Sequence, residues 1–179
     1  RGREKARFKY RPPNRDVVKK RQSQRGGMFD SLVLDDFTTW VPETGDHRIR
    51  IMQPTWSDAD HFGLDIFVHY GIGPDNQQYL CLEKMKVGDC PVCNERRNAE
   101  RDGESESAKE LGTTKRVAIW MINRDDEDSG PQIWLMPWTI DREVSNLQED
   151  KRTGEIFRVD DPEEAYDVEF RREGSQLKT

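Results

Sequence analysis

From about Met28 onward, apolar and polar residues alternate in short runs, the period of two that half-buried strands require. In His47–Met52, Ile49 and Ile51 fall on one side and Arg48 and Arg50 on the other. Asp65–Gly71 and Gln78–Leu82 flank Gly71-Ile72-Gly73-Pro74-Asp75-Asn76, a composition that predicts a hairpin loop. Lys115–Arg124 and Gln132–Thr139 predict a second hairpin, joined across the acidic stretch from Asp125 to Pro131. Ile140, Val144 and Leu147 then share one side of a short helix, and Glu155–Val159 and Tyr166–Phe170 supply two more strand candidates. Between Cys93 and Thr114 the chain turns polar, which predicts a solvated helix followed by a loose loop.

Short strands with one late helix and one polar insertion do not fit an alternating βαβ plan. They predict a mostly β fold, a closed five-stranded barrel of the OB type, with a small metal-binding insertion over 81–114 within a core spanning 28–179. Composition agrees with a small core, because 36% of the 179 residues are charged against 33% hydrophobic. No apolar run approaches the roughly 18 residues of a membrane-spanning helix, so no membrane partner is expected. No leader-like start suggests secretion.

The net charge of −6 hides an asymmetry. Residues 1–27 hold eleven Arg and Lys and two acids, a surplus of nine positive charges, which leaves residues 28–179 at −15. With Pro12-Pro13, Gly26-Gly27 and no sustained apolar period, this stretch reads as a flexible basic arm on an acidic body. Such an arm suits phosphate, or the acidic surface of a neighbouring copy.

Three cysteines cannot all pair, and Cys90-Pro91-Val92-Cys93 has the two-residue gap of a metal knuckle in a reducing compartment. His69, Cys81, Cys90 and Cys93 together offer one imidazole and three thiolates, a full tetrahedral set for zinc, one per chain. Four protein ligands leave no position for a catalytic water, so the predicted ion is structural. His69 is the expected fourth ligand and His61 the alternative. A redox dithiol is disfavoured because no βαβ frame surrounds the motif, although inert thiols remain a further reading. Zinc deaminases also use Cys-x-x-Cys with histidine, but they need His-x-Glu, and here Tyr70 and Gly71 follow His69. With no Ser/His/Asp set or phosphate-cradling loop either, the expectation is a protein that is not an enzyme.

Five tryptophans stand among basic residues at strand spacing. Arg116, Ala118, Trp120, Ile122 and Arg124 project to one face of their strand, so an indole lies between guanidinium groups. Trp134 and Trp138 are expected on one face of the next strand, and Arg48 and Arg50 on an earlier one. Phe67 and Tyr79 share faces with the metal ligands, while Lys84 and Lys86 follow Cys81. Stacking rings beside a basic groove hold single-stranded nucleic acid, at roughly 1–3 kcal/mol per stacked base. No recognition helix for duplex DNA is apparent. The acidic runs Asp125–Asp128 and Asp160–Glu164 are expected on the opposite rim of that groove, or as lids over it.

The stretches His47–Pro54, Ile66–Gly71, Cys90–Cys93 and Ala118–Asp125 resemble the single-stranded DNA-binding, helix-destabilising proteins of tailed bacteriophages, the T-even replication protein family. The likeness covers roughly residues 28–140 and is most specific in the His, Cys, Cys-Pro-x-Cys spacing. It implies an OB fold with a zinc subdomain and cooperative, sequence-neutral coating of single strands. It further implies a role in phage replication, recombination and repair beside other replication and recombination proteins, in the cytoplasm of the infected host. The zinc-ligand roles carry over onto His69, Cys81, Cys90 and Cys93. Lys19-Lys20-Arg21-Gln22-Ser23 is similar to the family's basic motif for contacts between neighbouring copies, although the glutamine intervenes and the second hydroxyl is missing. The family's acidic C-terminal tail has no counterpart in Gly174–Thr179, and the chain opens without methionine, so a trimmed chain is expected. The alternative reading is a zinc-bearing accessory module of replication or transcription that binds protein partners and touches DNA only through the arm.

Overall fold

The computed structural model describes residue 32 and residues 37–57 and 59–174. The basic arm over 1–27, with Lys19, Lys20 and Arg21, lies outside the described residues. In chain order the elements are β1 (Thr39–Trp40), β2 (Gly45–Ile51), β3 (Gly63–Ile72), β4 (Gln77–Leu80), α1 (Pro91–Asp102), α2 (Ser105–Glu110), β5 (Thr113–Asn123), β6 (Pro131–Pro137), α3 (Trp138–Leu147) and β7 (Val168–Arg172), with a 3-10 turn over Glu127–Ser129. Among the described residues no helix is long and apolar enough to cross a membrane.

The organising element is β5. Its alternation is strict: Val117, Ile119 and Met121 are buried, while Arg116, Ala118, Trp120 and Ile122 between them are not. One edge of β5 pairs antiparallel with β6, from Arg116↔Pro137 to Ile122↔Pro131. The other edge is divided, pairing β3 from Gly63↔Ile119 to His69↔Thr113 and then β2 from Ile49↔Asn123 to Ile51↔Met121. β7 pairs with the far side of β2, and β4 with β3.

The expected closed five-stranded barrel is corrected here. The seven strands form an open mixed sheet, in which β1 runs parallel to β6 and β7 ends the path at the other side. The parallel pairing covers only Thr39↔Ile133 and Trp40↔Trp134. Two residues on stands Pro42, which has no N–H to extend a ladder. Rings bridge the seam that strands leave open. Trp134 meets Trp40 edge-on at 5.2 Å and stacks on Phe170 of β7 at 5.2 Å and 9°.

The inward residues of β2, β5 and β6 form the main core with Phe62, Val144, Val159 and Val168, and Ile140 of α3 packs against it. The reverse face carries a second cluster of Ile66, Val68 and Leu135, against which Leu32, Tyr70 and Met85 pack. Three sequence expectations fail locally. Thr139 lies in α3 instead of the preceding strand, because the ladder ends at Pro137, which has no N–H to donate, and the helix begins at Trp138. Residues 155–159 contribute only a bridge, Glu149↔Ile156, and no strand. The last strand begins at Val168, two residues later than the predicted Tyr166.

Candidate metal centre and nucleic-acid face

The β3–β4 hairpin brings two of the four metal-ligand candidates together. His69 is directly opposite Tyr79, and the Cys81 N–H donates to the Phe67 carbonyl at 2.8 Å, so Phe67, His69, Tyr79 and Cys81 share one side of the hairpin. After Cys81 the chain turns tightly, with the Met85 N–H on the Cys81 carbonyl and Lys86 in the left-handed region at φ 58°. Cys90 is the N-cap of α1 and Pro91 opens the helix, where its missing N–H costs no intrahelical bond. One turn of α1 then aims Cys93 back at the hairpin. Gly103, at φ 82°, ends the helix with its N–H on the Ala99 and Glu100 carbonyls.

The four ligand atoms lie within 4.8 Å of one another and all four residues are buried. His69 Nε2 is 3.4 Å from Cys90 Sγ and 3.6 Å from Cys93 Sγ, and Cys81 Sγ is 3.4 Å from Cys93 Sγ. A tetrahedral ion with bonds of about 2.0–2.3 Å separates its ligands by roughly 3.5–3.8 Å, so these distances already suit one. His69 Nδ1 lies 3.0 Å from the Leu111 carbonyl and donates to it, which leaves the Nε2 lone pair facing the sulfurs. The Lys84 N–H reaches Cys81 Sγ at 3.4 Å. Burial pushes the Cys90 thiol up, but hydrogen bonds from the Cys93 and Val92 N–H groups and contacts with His69 and the Cys93 thiol outweigh it and bring it down to about 6. At Cys93, burial and then the sulfurs of Cys81 and Cys90 push the thiol up to about 12. The cluster could hold a metal ion. Phe67 and Val92 pack against the three cysteines. His61, the alternative ligand, stands elsewhere, with Nδ1 accepting the Gly63 N–H at 3.0 Å and Nε2 3.2 Å from Asp141. Burial raises the Asp141 carboxyl, against the opposing pull of His61.

The expected nucleic-acid residues do not gather in one furrow. Register places Phe67 opposite Lys115 and His69 opposite Thr113, so Phe67 and Tyr79 belong to the side of β5 that carries Val117. Arg116 and Trp120 belong to the other. The sheet therefore divides the set between its two faces.

On the metal side, Lys84 Nζ sits 5.1 Å from the centre of the Phe67 ring, and Tyr79, Lys84 and Lys86 are exposed. On the reverse face, Arg116 donates from Nε to the Tyr70 hydroxyl at 3.1 Å, and the half-exposed Trp120 meets Phe37 edge-on at 5.4 Å. Arg50 lies opposite Ile122, and the Arg124 N–H donates to the Arg48 carbonyl, which brings Arg48, Arg50 and Arg124 onto this same face. Arg48 is exposed. Arg50 donates from Nη1 to the Ala165 carbonyl and places Nε 3.4 Å from Asp167 Oδ1, while Arg124 Nε bonds Asp167 Oδ2 at 3.0 Å. Asp167, and then Glu127 at 2.8 Å, hold the Arg124 guanidinium above its ordinary value.

Two tryptophan placements are corrected. Trp134 is 2% exposed and part of the main core, where its parity with Met136 puts it beside Ile119. Trp138 leaves the strand altogether. It is 43% exposed at the start of α3, with the Arg142 guanidinium 5.1 Å from its ring centre. One acidic run is partly structural as well. Asp160 is buried and takes both Nε and Nη2 of Arg158, at 3.1 and 2.7 Å, and Asp161 accepts the Glu164 and Glu163 N–H groups, which lower its carboxyl.

Sequence reasoning missed Phe37, Tyr70 and Asp167. Tyr70 was legible, since the period that faces His69 to the metal turns Tyr70 toward Arg116. Phe37 carries no periodic signal, and Asp167, though inside the predicted strand Tyr166–Phe170, reaches the face from irregular chain just before β7. No protein-family model, curated protein or solved structure matches the chain.

Proposed function

We propose that this protein binds single-stranded DNA through the face of β5 that bears Arg116 and Trp120, without base readout. The observation that carries the reading is the alternation along β5. Val117, Ile119 and Met121 fill the core, and the intervening positions keep an indole between guanidinium groups at the surface. Arg116 and Arg124 are eight residues apart, roughly 27 Å along an extended strand, long enough to follow several nucleotides. Tyr70 and Phe37 extend the ring surface, and Arg48 and Arg50 extend its charge.

In this reading the ion at His69, Cys81, Cys90 and Cys93 is zinc, and its role is to fold the polar segment between β4 and β5. Three thiolates and an imidazole suit zinc, and four protein ligands leave no open position for catalysis. The resemblance to phage helix-destabilising proteins supports cooperative coating of single strands during replication, recombination and repair. The basic arm, through Lys19, Lys20 and Arg21, would then contact a neighbouring copy.

Titrating tryptophan fluorescence with oligo-dT, oligo-U and duplex at two salt concentrations tests the reading. Saturable quenching by single strands, weakening with salt at a log–log slope of about −0.7 per phosphate neutralised, supports it. Quenching by duplex alone, or none, sinks it. One observation favours the accessory-module alternative: Asp167 and Glu127 already engage Arg50 and Arg124. Deleting residues 1–27 separates the two readings. Binding that persists with less cooperativity fits the β5 face, and complete loss fits a protein whose arm alone touches DNA.

A further inference from the structure

The seam where the sheet fails to close is a cleft of about 270 Å³. Its apolar floor is Val41, Trp134, Ile140 and Phe170, and Arg116, Arg171 and Arg172 stand around it. We propose that this cleft is a docking site for an extended acidic peptide of a partner protein, which inserts one large apolar side chain between guanidinium groups.

Three features of the site lead to that occupant. The volume falls just below the roughly 300–1,000 Å³ of a small-molecule pocket, so it suits one or two side chains better than a cofactor. β7 is the last strand of the sheet path, and its outer edge has no described strand partner. An open edge beside an apolar cleft is the arrangement by which an added strand gains main-chain hydrogen bonds from the edge and selectivity from the pocket. A nucleotide would use the cleft but not the edge.

Charge selects the peptide's sign. Within a body that is acidic overall, three arginines and a single acid, Glu173, border this cleft. Among the described residues Arg171 is held by exposed partners, Asp46 at 3.3 Å and Glu173 at 4.0 Å, and Arg172 donates to the Pro42 carbonyl. Exposed bridges of this kind contribute little, so a peptide carboxylate can replace Asp46 or Glu173 at small cost. A basic or neutral peptide would gain nothing at the rim.

Arg116 borders both this cleft and the proposed DNA face, so the test keeps the two apart through Val41 and Arg171, which only the cleft uses. A fluorescein-labelled six-residue peptide alternating aspartate with isoleucine and phenylalanine is titrated with the full chain and followed by anisotropy. Saturable binding is expected. Val41→Asp and Arg171→Glu, both at exposed positions, should each weaken it about tenfold or more while oligo-dT binding stays unchanged. A version with lysine in place of aspartate should not bind. For either variant that loses its circular-dichroism spectrum, amide chemical shifts of the wild-type protein decide, with peptide-induced changes expected at Val41 and along β7. Absence of saturable binding, or unaltered affinity in both folded variants, overturns the proposal.

Discussion

Trp134 and Phe170 stack ring on ring, 5.2 Å between centroids, across a seam where their strands exchange no hydrogen bonds. Trp40 and His47 complete the aromatic group, each edge-on or tilted to its neighbour. An aromatic pair contributes about 0.5–1.5 kcal/mol beyond its buried area. In this protein that contribution holds two sheet edges near each other without a barrel. The arrangement sets Trp134, in the core, and Trp40, packed against it, apart from Trp120 and Trp138, which reach the surface.

Replacing Trp134 by alanine should cost about 3–5 kcal/mol of folding stability, the range for a large core ring. Trp138→Ala, at an exposed helix start, should stay within about 1 kcal/mol. Urea unfolding at neutral pH measures both. Trp120→Ala should leave the midpoint nearly unchanged and weaken oligo-dT binding by roughly 1–3 kcal/mol, equally for all base compositions. A sequence-selective loss would indicate base-edge recognition instead.

Asp167 lies between two guanidinium groups that the proposed DNA face needs. Its carboxylate holds Arg50 and Arg124 in place and also cancels part of their charge. Asp167→Asn keeps the shape and removes the cancellation, so oligo-dT affinity at low salt should rise. The salt dependence should steepen by about 0.7 for each additional phosphate engaged. Stability should drop, since Arg50 and Arg124 lose their ionic acceptor. Affinity that falls together with stability would mean that orientation of the two arginines matters more than their free charge.

Metal removal should act on folding and not on chemistry. α1 is polar and, among its residues, only Cys93 and Ala99 are buried, so little apolar packing holds the segment between β4 and β5 once the sulfurs are released. Chelation should raise amide exchange across 81–112 while β5 and β6 stay protected, and Cys93→Ser should reproduce this. The pH dependence follows from the two thiols. Near neutral pH and without metal, Cys90, at about 6, is largely thiolate, whereas Cys93, at about 12, is protonated. Binding must expel the Cys93 proton, so apparent zinc affinity should rise with pH between 6 and 8, about one decade per unit for each proton released. Below pH 6, Cys90 also protonates and the dependence should steepen. Competition against a chromophoric chelator at pH 6, 7 and 8 measures it.

The parts of this protein that repeat a short period could be read from its sequence. Val117, Ile119 and Met121 against Arg116, Ala118 and Trp120 obey the two-residue rule, and the hairpin that joins His69 to Cys81 obeys it as well. The four-residue ligand set was legible because a metal needs few residue types at restricted spacings. What failed was decided by distant partners. Trp134 is a core ring because Trp40 and Phe170, far from it in sequence, close over it. The parallel strand of Thr39–Trp40 has no alternation of its own and exists by pairing β6. That pairing spans two residues, and the sheet path runs from β1 to β7 without closing.

At Gly63, β3 lies against two core side chains of β5. A methyl group there would lie 2.4 Å from Val117 Cγ1 and 2.7 Å from Ile119 Cγ2, and both side chains are buried. Neither can swing into solvent, since Val117 and Ile119 are part of the main core. Gly63→Ala should therefore destabilise the protein by about 1–3 kcal/mol through overpacking, although alanine is otherwise the better residue for an extended chain. Gly88→Ala, where nothing lies within 4 Å of the added carbon, is the matched control and should be nearly neutral. The two thermal midpoints compare them directly. Because the clash lies where β3 leaves the main core toward His69, Gly63→Ala should also lower zinc retention under mild chelation, whereas Gly88→Ala, in the loop before Cys90, should not. Equal midpoints for the two variants would mean that β3 can shift away from β5, and the metal hairpin would then tolerate a looser attachment to the sheet than this packing implies.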